Sequence, residues 1–196
     1  MRKVYCILFC FLFIVGAAAQ NVAVINGKAI SNKEFMWFYK KNHSGNANVS
    51  FDDLSSYLNL YVNFKLKVLD AKKMGLDKDT AYIAEVENYE YALHTQKRIS
   101  KTNAEFVFIM NEYRDAVLMF NLSEMKIWNK AQNDESLLRS FYEKNKDAYL
   151  QRPFEEVSGQ VIVDYQRKLE RDWVESLKKT YTVKIYQDEL RKLAKL

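Results

Sequence analysis

Apolar residues recur at three- and four-residue spacing over most of the chain, which is the pattern of amphipathic helices. The clearest case runs from Leu54 through Tyr61 to Val68 and ends before Gly75, a residue type that often follows the last helical turn. Ser, Asn and Asp residues precede several of these segments, as helix N-caps do. The pattern predicts helices over residues 32–42, 51–74, 78–100, 104–121, 123–131, 134–142, 154–177 and 188–196, with starts marked by Ser31, Ser50, Asp77, Asn103, Ser123, Asn133 and Pro153.

Two short segments near opposite ends of the chain have the composition of strands instead. Residues 22–26 lead into an Asn26-Gly27 turn, and residues 182–186 follow the longest predicted helix. Because a lone strand leaves its backbone groups unpaired, we expect the two segments to pair with each other. The predicted fold is therefore all-α, with a small two-stranded sheet formed by the N- and C-terminal strands.

Residues 1–20 have the layout of a secretory signal peptide. A positively charged start precedes an apolar run over residues 4–19, which is short for a membrane span of about 20 apolar residues. We expect cleavage after Ala19 or Gln20, with an uncleaved anchor as the alternative. The mature chain, residues 21–196, would then be exported.

Both cysteines, Cys6 and Cys10, lie inside the predicted signal segment. A mature chain without cysteine has no disulfide, no thiolate nucleophile and no zinc–thiolate site. An exported protein of this kind with no eukaryotic feature is typical of the bacterial periplasm, which is the predicted localisation.

Composition and charge exclude several classes of protein. The 48% hydrophobic fraction is too high for a disordered chain, and 5 Gly and 1 Pro are too few for a collagen or a loop-rich β-protein. The formal net charge is +5, with residues of both signs interspersed along the chain. Nucleic acid, which requires a basic stripe, is therefore not an expected partner.

Few residues point to catalysis or to a cofactor. The two histidines, His43 and His94, are not in a metal-ligand spacing, and no Gly-rich phosphate loop occurs. We therefore predict no catalytic residue, no metal, no cofactor and no use of ATP. The triplet at residues 79–81 resembles a bacterial O-glycosylation signal, and the sequence leaves open whether Thr80 is modified.

The segment 104–120 carries more large apolar side chains than one core-facing stripe needs. Two interpretations fit this surplus. The helix is buried all round, or part of it lines an exposed apolar groove for unfolded or extended polypeptide. On the second interpretation the candidate peptide-binding residues are Phe106, Phe108, Met110, Tyr113, Leu118, Met119, Met125 and Trp128.

Several motifs occur in an order that resembles a known family. They are VINGKAIS at residues 24–31, KVLDAKKMGLD at 67–77, WNKA at 128–131 and FYEKN at 141–145. In this order they resemble the SurA-like periplasmic chaperones of the parvulin-type peptidyl-prolyl isomerase family, particularly forms from Bacteroidetes. The resemblance implies a helical chaperone module that covers nearly the whole mature chain.

In that family, isomerase domains separate the two parts of the helical module. Here the corresponding parts are residues 21–150 and 153–196, and the few residues between Tyr149 and Pro153 leave no room for a domain. We therefore expect a single chaperone module without isomerase activity, which binds unfolded outer-membrane or secreted polypeptides without ATP. The alternatives are an isomerase, as the family name implies, and a scaffold or subunit. In the second case a homodimer partner or an isomerase-bearing relative would cover the apolar surface.

Overall fold

The structure is a computed structural model that describes residues 20–43, 49–96, 98 and 100–195. The predicted signal segment up to Ala19 and residues 44–48 lie outside the described residues. Helices predominate, which confirms the all-α class. They are α1 (Asn32–Asn42), α2 (Phe51–Lys73), α3 (Thr80–Gln96), α4 (Ala104–Ser123), α5 (Asn129–Asn133), α6 (Glu135–Lys144), α7 (Phe154–Thr180) and α8 (Gln187–Leu193), and the strands are β1 (Asn21–Ile25), β2 (Lys28–Ser31) and β3 (Val183–Ile185).

The strands form one antiparallel sheet in the order β2–β1–β3. β1 pairs with β3 through Ala23 and Ile185, which confirms the predicted pairing of the two terminal strands. The predicted two-stranded sheet was one strand short, because β2 also pairs with β1 after the chain reverses at Asn26 and Gly27. These two residues have φ angles of 47° and 79°, as a tight hairpin turn requires.

Polar residues start three of the helices, α1, α2 and α4, where the sequence predicted them. The Ser31 hydroxyl accepts a hydrogen bond from the Glu34 N–H at 3.1 Å, and Ser50 and Asn103 cap α2 and α4 in the same way. Gly75 follows α2 with a φ of 79°, a conformation that glycine adopts without strain. These local signals therefore set the bounds of the helices that carry the surfaces described below.

Two predicted caps lie at neighbouring positions instead. Asp77 belongs to a short 3₁₀ turn after α2, and the carboxylate that caps α3 is that of Asp79, which accepts from the Ala81 N–H at 2.8 Å. At α6 the cap is Asp134, one residue after the predicted Asn133. In both cases the carboxylate next to the first helical residue is in reach of the unpaired N–H groups.

α4 and α5 are joined by a π-helical stretch (Glu124–Trp128) into one continuous helix. The sequence predicted a break with a new helix start at Ser123, and this prediction was wrong. The Ser123 hydroxyl donates back to the carbonyl of Met119 at 2.7 Å, so it does not cap a new helix.

Buried apolar side chains form two clusters. The larger one gathers α1, α2, α3, α4, α8, the sheet and the second half of α7, and it includes the fully buried Phe35, Leu66 and Leu190. The smaller one joins α6 to the first half of α7 around Tyr142 and Val161. α7 thus connects both clusters, and its second half borders the first of the two surfaces described below.

None of the helices in the described residues combines the length and the apolar composition that a bilayer crossing requires.

Candidate functional site

The eight residues predicted to bind peptide divide into a buried group and a group that reaches the surface. Phe106, Met110 and Leu118 are at most 5% exposed and lie in the larger core. They belong to the face of α4 that packs against its neighbours, α2 among them. These three side chains line neither of the two concave surfaces described below.

Aromatic packing accounts for two of the partly exposed predicted residues. The Phe108 ring centroid lies 5.5 Å from that of Trp37, and the Tyr113 ring stacks on Tyr89 at 3.7 Å. The Tyr113 hydroxyl also donates to a Glu85 carboxylate oxygen at 3.1 Å. These contacts tie α4 to α1 and α3.

The other three predicted residues lie at the end of α4 and in the π-helical stretch. Trp128 packs edge-on against Phe120, with 4.8 Å between the ring centroids. Phe120 is 52% exposed and Met125 is 49% exposed, so both present apolar area to solvent. Met119 is partly buried and lines the first of two concave surfaces.

A groove along α2, α4 and α7 is this first surface. Two adjoining concavities of about 490 and 220 Å³ form it, and Leu60 and Phe64 line both of them. Leu60 is 65% exposed although it lies where the two parts meet. We call this surface the α2–α4–α7 groove, and its apolar lining comprises Phe38, Tyr57, Leu60, Tyr61, Phe64, Ala116, Met119 and Val174.

Charged side chains of both signs lie on the α7 side of the α2–α4–α7 groove, namely Arg167, Arg171, Lys178, Glu170 and Glu175. Lys67 at the base forms an ion pair with Glu170 and lies 5.5 Å from the ring centroid of Trp173. Arg171 and Lys178 also line the groove and have no ion-pair partner within the part of the chain that the structure describes. The groove therefore combines an apolar floor with a charged edge on which basic residues slightly outnumber acidic ones.

The second concave surface separates β2 from α3. Its volume is about 710 Å³, which lies in the range of ordinary ligand sites. Ile30, Val68, Ile83 and Val86 supply its apolar walls. We call it the β2–α3 cleft, and it shares no lining residue with the α2–α4–α7 groove.

Ionic side chains form the floor of the β2–α3 cleft. The buried Asp115 carboxylate accepts from the Lys65 ammonium at 2.8 Å and from the Lys72 ammonium at 3.0 Å. Lys65 also lies 3.2 Å from a Glu34 oxygen, and the Tyr61 hydroxyl donates to Glu34 at 2.7 Å. The network links α1, α2 and α4.

The environment of the network fixes the protonation of two of its members. Burial, together with the adjacent Glu34 carboxylate, raises the pKa of the Tyr61 phenol well above its usual value. Burial alone lowers the pKa of the Lys65 ammonium, but Asp115 and Glu34 outweigh it and raise that pKa. Both groups therefore keep their protons at neutral pH, which suits a structural floor better than acid–base catalysis.

Met119 is the one predicted peptide-binding residue that lines the α2–α4–α7 groove, and Leu60 is the most exposed of the apolar lining residues that the sequence analysis did not name as binding candidates. The predicted apolar stripe of α2 passed through Leu54, Leu58 and Tyr61, and the structure buries all three. Leu60 lies off that stripe, where a polar residue is expected on a solvent-facing side. A large apolar residue at a position expected to face solvent was the feature of the sequence that could have identified Leu60 as a surface residue of the groove.

Among the described residues, no group of three or more His, Cys, Asp or Glu side chains is arranged to hold a metal ion.

Comparison with known proteins identifies distant relatives. The chain is 25% identical over 167 residues to a Campylobacter jejuni (serotype O:2) protein named "Putative peptidyl-prolyl cis-trans isomerase Cbf2", an alignment that covers 84% of this chain and 51% of the relative. It is 26% identical over 162 residues to the protein of the same name from serotype O:23/36, covering 82% of this chain and 50% of that relative. The chain thus spans about half the length of the curated relatives it matches. No protein-family model matches the chain, and no solved structure matches it.

These relatives correct one expectation from the sequence. We expected no isomerase activity, and the name that both relatives carry contradicts that expectation. The shared name of the two relatives supports the resemblance to isomerase-related proteins and nothing more specific. The chain is a distant relative of proteins named as peptidyl-prolyl isomerases.

Proposed function

We propose that the α2–α4–α7 groove binds unfolded or extended polypeptide, and that the chain acts as an ATP-independent chaperone for exported proteins. The observation that supports this most is the exposure of Leu60 inside a concave apolar surface. Exposed apolar area in a groove is typical of a binding surface, because a ligand that covers it removes that area from water. The name of the two relatives agrees with a polypeptide ligand, since a peptidyl-prolyl isomerase acts on polypeptide.

Passive burial supplies enough free energy for reversible binding. Covering a Leu or Met side chain contributes about 1.5–3 kcal/mol, and the ordering of the ligand offsets much of this gain. A few such contacts give a Kd of roughly micromolar, which corresponds to about −8 kcal/mol. Release at this affinity requires no nucleotide, which suits the periplasm, the compartment that we propose from the signal-like N-terminal segment.

We expect Leu60→Glu to weaken polypeptide binding about tenfold, because a ligand over the groove would lose the apolar contact with Leu60 and cover a polar carboxylate instead. The measurement is suppression of aggregation when an unfolded outer-membrane barrel protein is diluted from urea, together with the affinity for the labelled client. Leu150→Glu is the matched control, since Leu150 is 82% exposed and lies outside the groove.

Three outcomes would count against this proposal. The wild-type chain could fail to suppress aggregation at stoichiometric amounts, or both Glu variants could lose the same affinity. Alternatively, light scattering could show a wild-type dimer that Leu60→Glu converts to a monomer. The groove would then be a subunit interface, as the scaffold alternative requires.

Peptidyl-prolyl isomerisation is the second candidate function, and the name of the two relatives favours it. A protease-coupled assay on a prolyl tetrapeptide measures the rate. Acceleration that Leu60→Glu reduces and Leu150→Glu leaves unchanged would assign the activity to the α2–α4–α7 groove. A rate equal to that of the uncatalysed peptide would remove this candidate.

A further inference from the structure

β2 is an edge strand that borders the β2–α3 cleft. The pairing of β1 with β3 shows which backbone groups of β1 point toward β2 and which point toward β3. The Asn26 N–H, just after β1, donates to the Thr182 carbonyl at 2.8 Å on the side of β3. Because backbone groups alternate along an antiparallel strand, those of Ile25 face β2.

The same alternation leaves one residue of β2 open to an added chain. Ile25 is opposite Lys28 and Ala23 is opposite Ile30, so the backbone groups of Lys28 and Ile30 face β1. The N–H and the carbonyl of Ala29, which lies between them, face the free edge. A sheet edge of this kind can accept an extended peptide through backbone hydrogen bonds.

The cleft beside this edge has the size and the lining for an extended segment. Its volume is about 710 Å³, and Ile30, Val68 and Val86 line it together with the partly exposed Ile83 of α3. Alternate side chains of an added strand would point toward these walls and away from them. One set of alternate positions in the ligand is therefore expected to be apolar.

The charges of α3 define the chemistry of the ligand positions nearest to that helix, whereas the exposed Lys28 of β2 lines the opposite wall of the cleft. Glu85, Glu87 and Glu90 lie on α3, which contains no Lys or Arg. Glu85 accepts from the Tyr113 hydroxyl, and Glu90 is paired with basic neighbours. Glu87 lines the cleft, is exposed and has no partner in the described parts of the chain. The unpaired Glu87 carboxylate on the α3 wall of the cleft complements a basic side chain of a ligand.

We propose that the β2–α3 cleft binds an extended segment of another polypeptide as an added strand on β2, with apolar side chains against Val68 and Val86 and a Lys or Arg beside Glu87. The inference names a substrate class for the polypeptide-binding function proposed above and rests on that function. It concerns a surface that is separate from the α2–α4–α7 groove, so the two can be tested independently.

The test uses the full chain and fluorescence anisotropy with synthetic peptides of about ten residues. The first peptide alternates Val and Lys, the second alternates Val and Glu, and the third is the Val–Lys peptide N-methylated at alternate backbone amides. We expect the Val–Lys peptide to bind and the other two to bind at least tenfold more weakly, because one has the wrong charge and the other cannot form the strand hydrogen bonds.

Two variants of the protein locate this binding. Ala29→Pro removes the outward N–H at an edge position that tolerates proline, and it should weaken the Val–Lys peptide about tenfold, whereas Ala29→Ser keeps the N–H and should not. Glu87→Lys should weaken the Val–Lys peptide and strengthen the Val–Glu peptide. Circular dichroism identifies any variant that fails to fold, and the N-methylated peptide tests strand addition on the unaltered protein.

Several results would overturn the inference. These are equal affinity for the methylated and unmodified peptides, unchanged affinity in Glu87→Lys, or no binding of the Val–Lys peptide to the wild type. Loss of that peptide in Leu60→Glu but not in Glu87→Lys would assign it to the groove. That last result would remove the inference and leave the proposed function standing.

Discussion

Asp115→Ala is expected to lower the free energy of unfolding by about 2–3 kcal/mol, less than the roughly 3–5 kcal/mol of a fully buried pair, because the side chains of Lys65 and Lys72 are 19% and 37% exposed. Asp115 is 8% exposed and is the carboxylate that joins Lys65 to Lys72 in the floor of the β2–α3 cleft. Its removal leaves Lys65 with Glu34 as its remaining acidic partner in the described residues.

The direction of this effect follows from the competing influences on Lys65. Burial disfavours its charged form, and only the carboxylates of Asp115 and Glu34 hold the pKa of the ammonium above its usual value. Without Asp115 the desolvation of the ammonium is no longer offset to the same extent. The variant must then keep a poorly paired charge or lose a proton, and both reduce stability.

Urea unfolding measured by circular dichroism gives the change in free energy. The informative control is a double-mutant cycle of Asp115→Ala with Lys65→Met, in which the two losses should be less than additive, because each variant removes the partner of the other. Lys72 and Glu34 still lose an ion-pair partner, so the double variant should remain less stable than the wild type. Two results would contradict the buried-network explanation. One is additive losses in the double variant. The other is a loss below about 1 kcal/mol for Asp115→Ala, which is the usual range for an exposed ion pair.

Local signals account for the part of the fold that was predictable. Ser31, Ser50 and Asn103 each bind an N–H only two or three residues further along, so the sequence around them is sufficient to predict the helix starts. The hairpin turn at Asn26 and Gly27 is local in the same sense. β2 escaped prediction because it is short and runs directly into the capping signal of α1.

Contacts between distant positions account for what was missed in the site. Asp115 meets Lys65 and Lys72 across separations of 50 and 43 positions, and spacing within α2 or α4 does not indicate which charges turn inward. The exposure of Leu60 likewise depends on how far α2, α4 and α7 stand apart. Of the eight predicted peptide-binding residues, the sequence therefore named only Met119 among those that line the α2–α4–α7 groove.

The helix over residues 104–120 shows why counting apolar residues left two interpretations open. Leu118 is fully buried, whereas Met119 is partly buried and Phe120 is half exposed. Consecutive residues of a helix point in directions about 100° apart, so three apolar neighbours cover most of its circumference. The helix thus has a core-facing side and an outward apolar side, and a peptide-binding role for the outward side stays a prediction.

Leu190→Ala is expected to lower the free energy of unfolding by about 3 kcal/mol, the middle of the range for a buried Leu. Leu190 is 0% exposed in the larger core, on α8, which contacts α2 and β1. The Asn32 amide also donates to Glu189 of α8 at 3.0 Å, so the C-terminal helix holds the start of α1 as well as the sheet. A cavity at Leu190 therefore loosens the region where both ends of the described chain meet.

Thermal and urea unfolding measure this loss. The control is Leu150→Ala, which removes the same atoms from a side chain that is 82% exposed. Its free energy of unfolding should change by at most about 0.5 kcal/mol. Hydrogen exchange adds a test of location, because amides of β1 and β3 should lose protection in Leu190→Ala more than those of α6. Equal losses in the two Ala variants would show that α8 does not contribute to the core. A uniform loss of protection would instead mean that the sheet and α6 unfold together, so that packing at Leu190 supports the whole described chain and not only its ends.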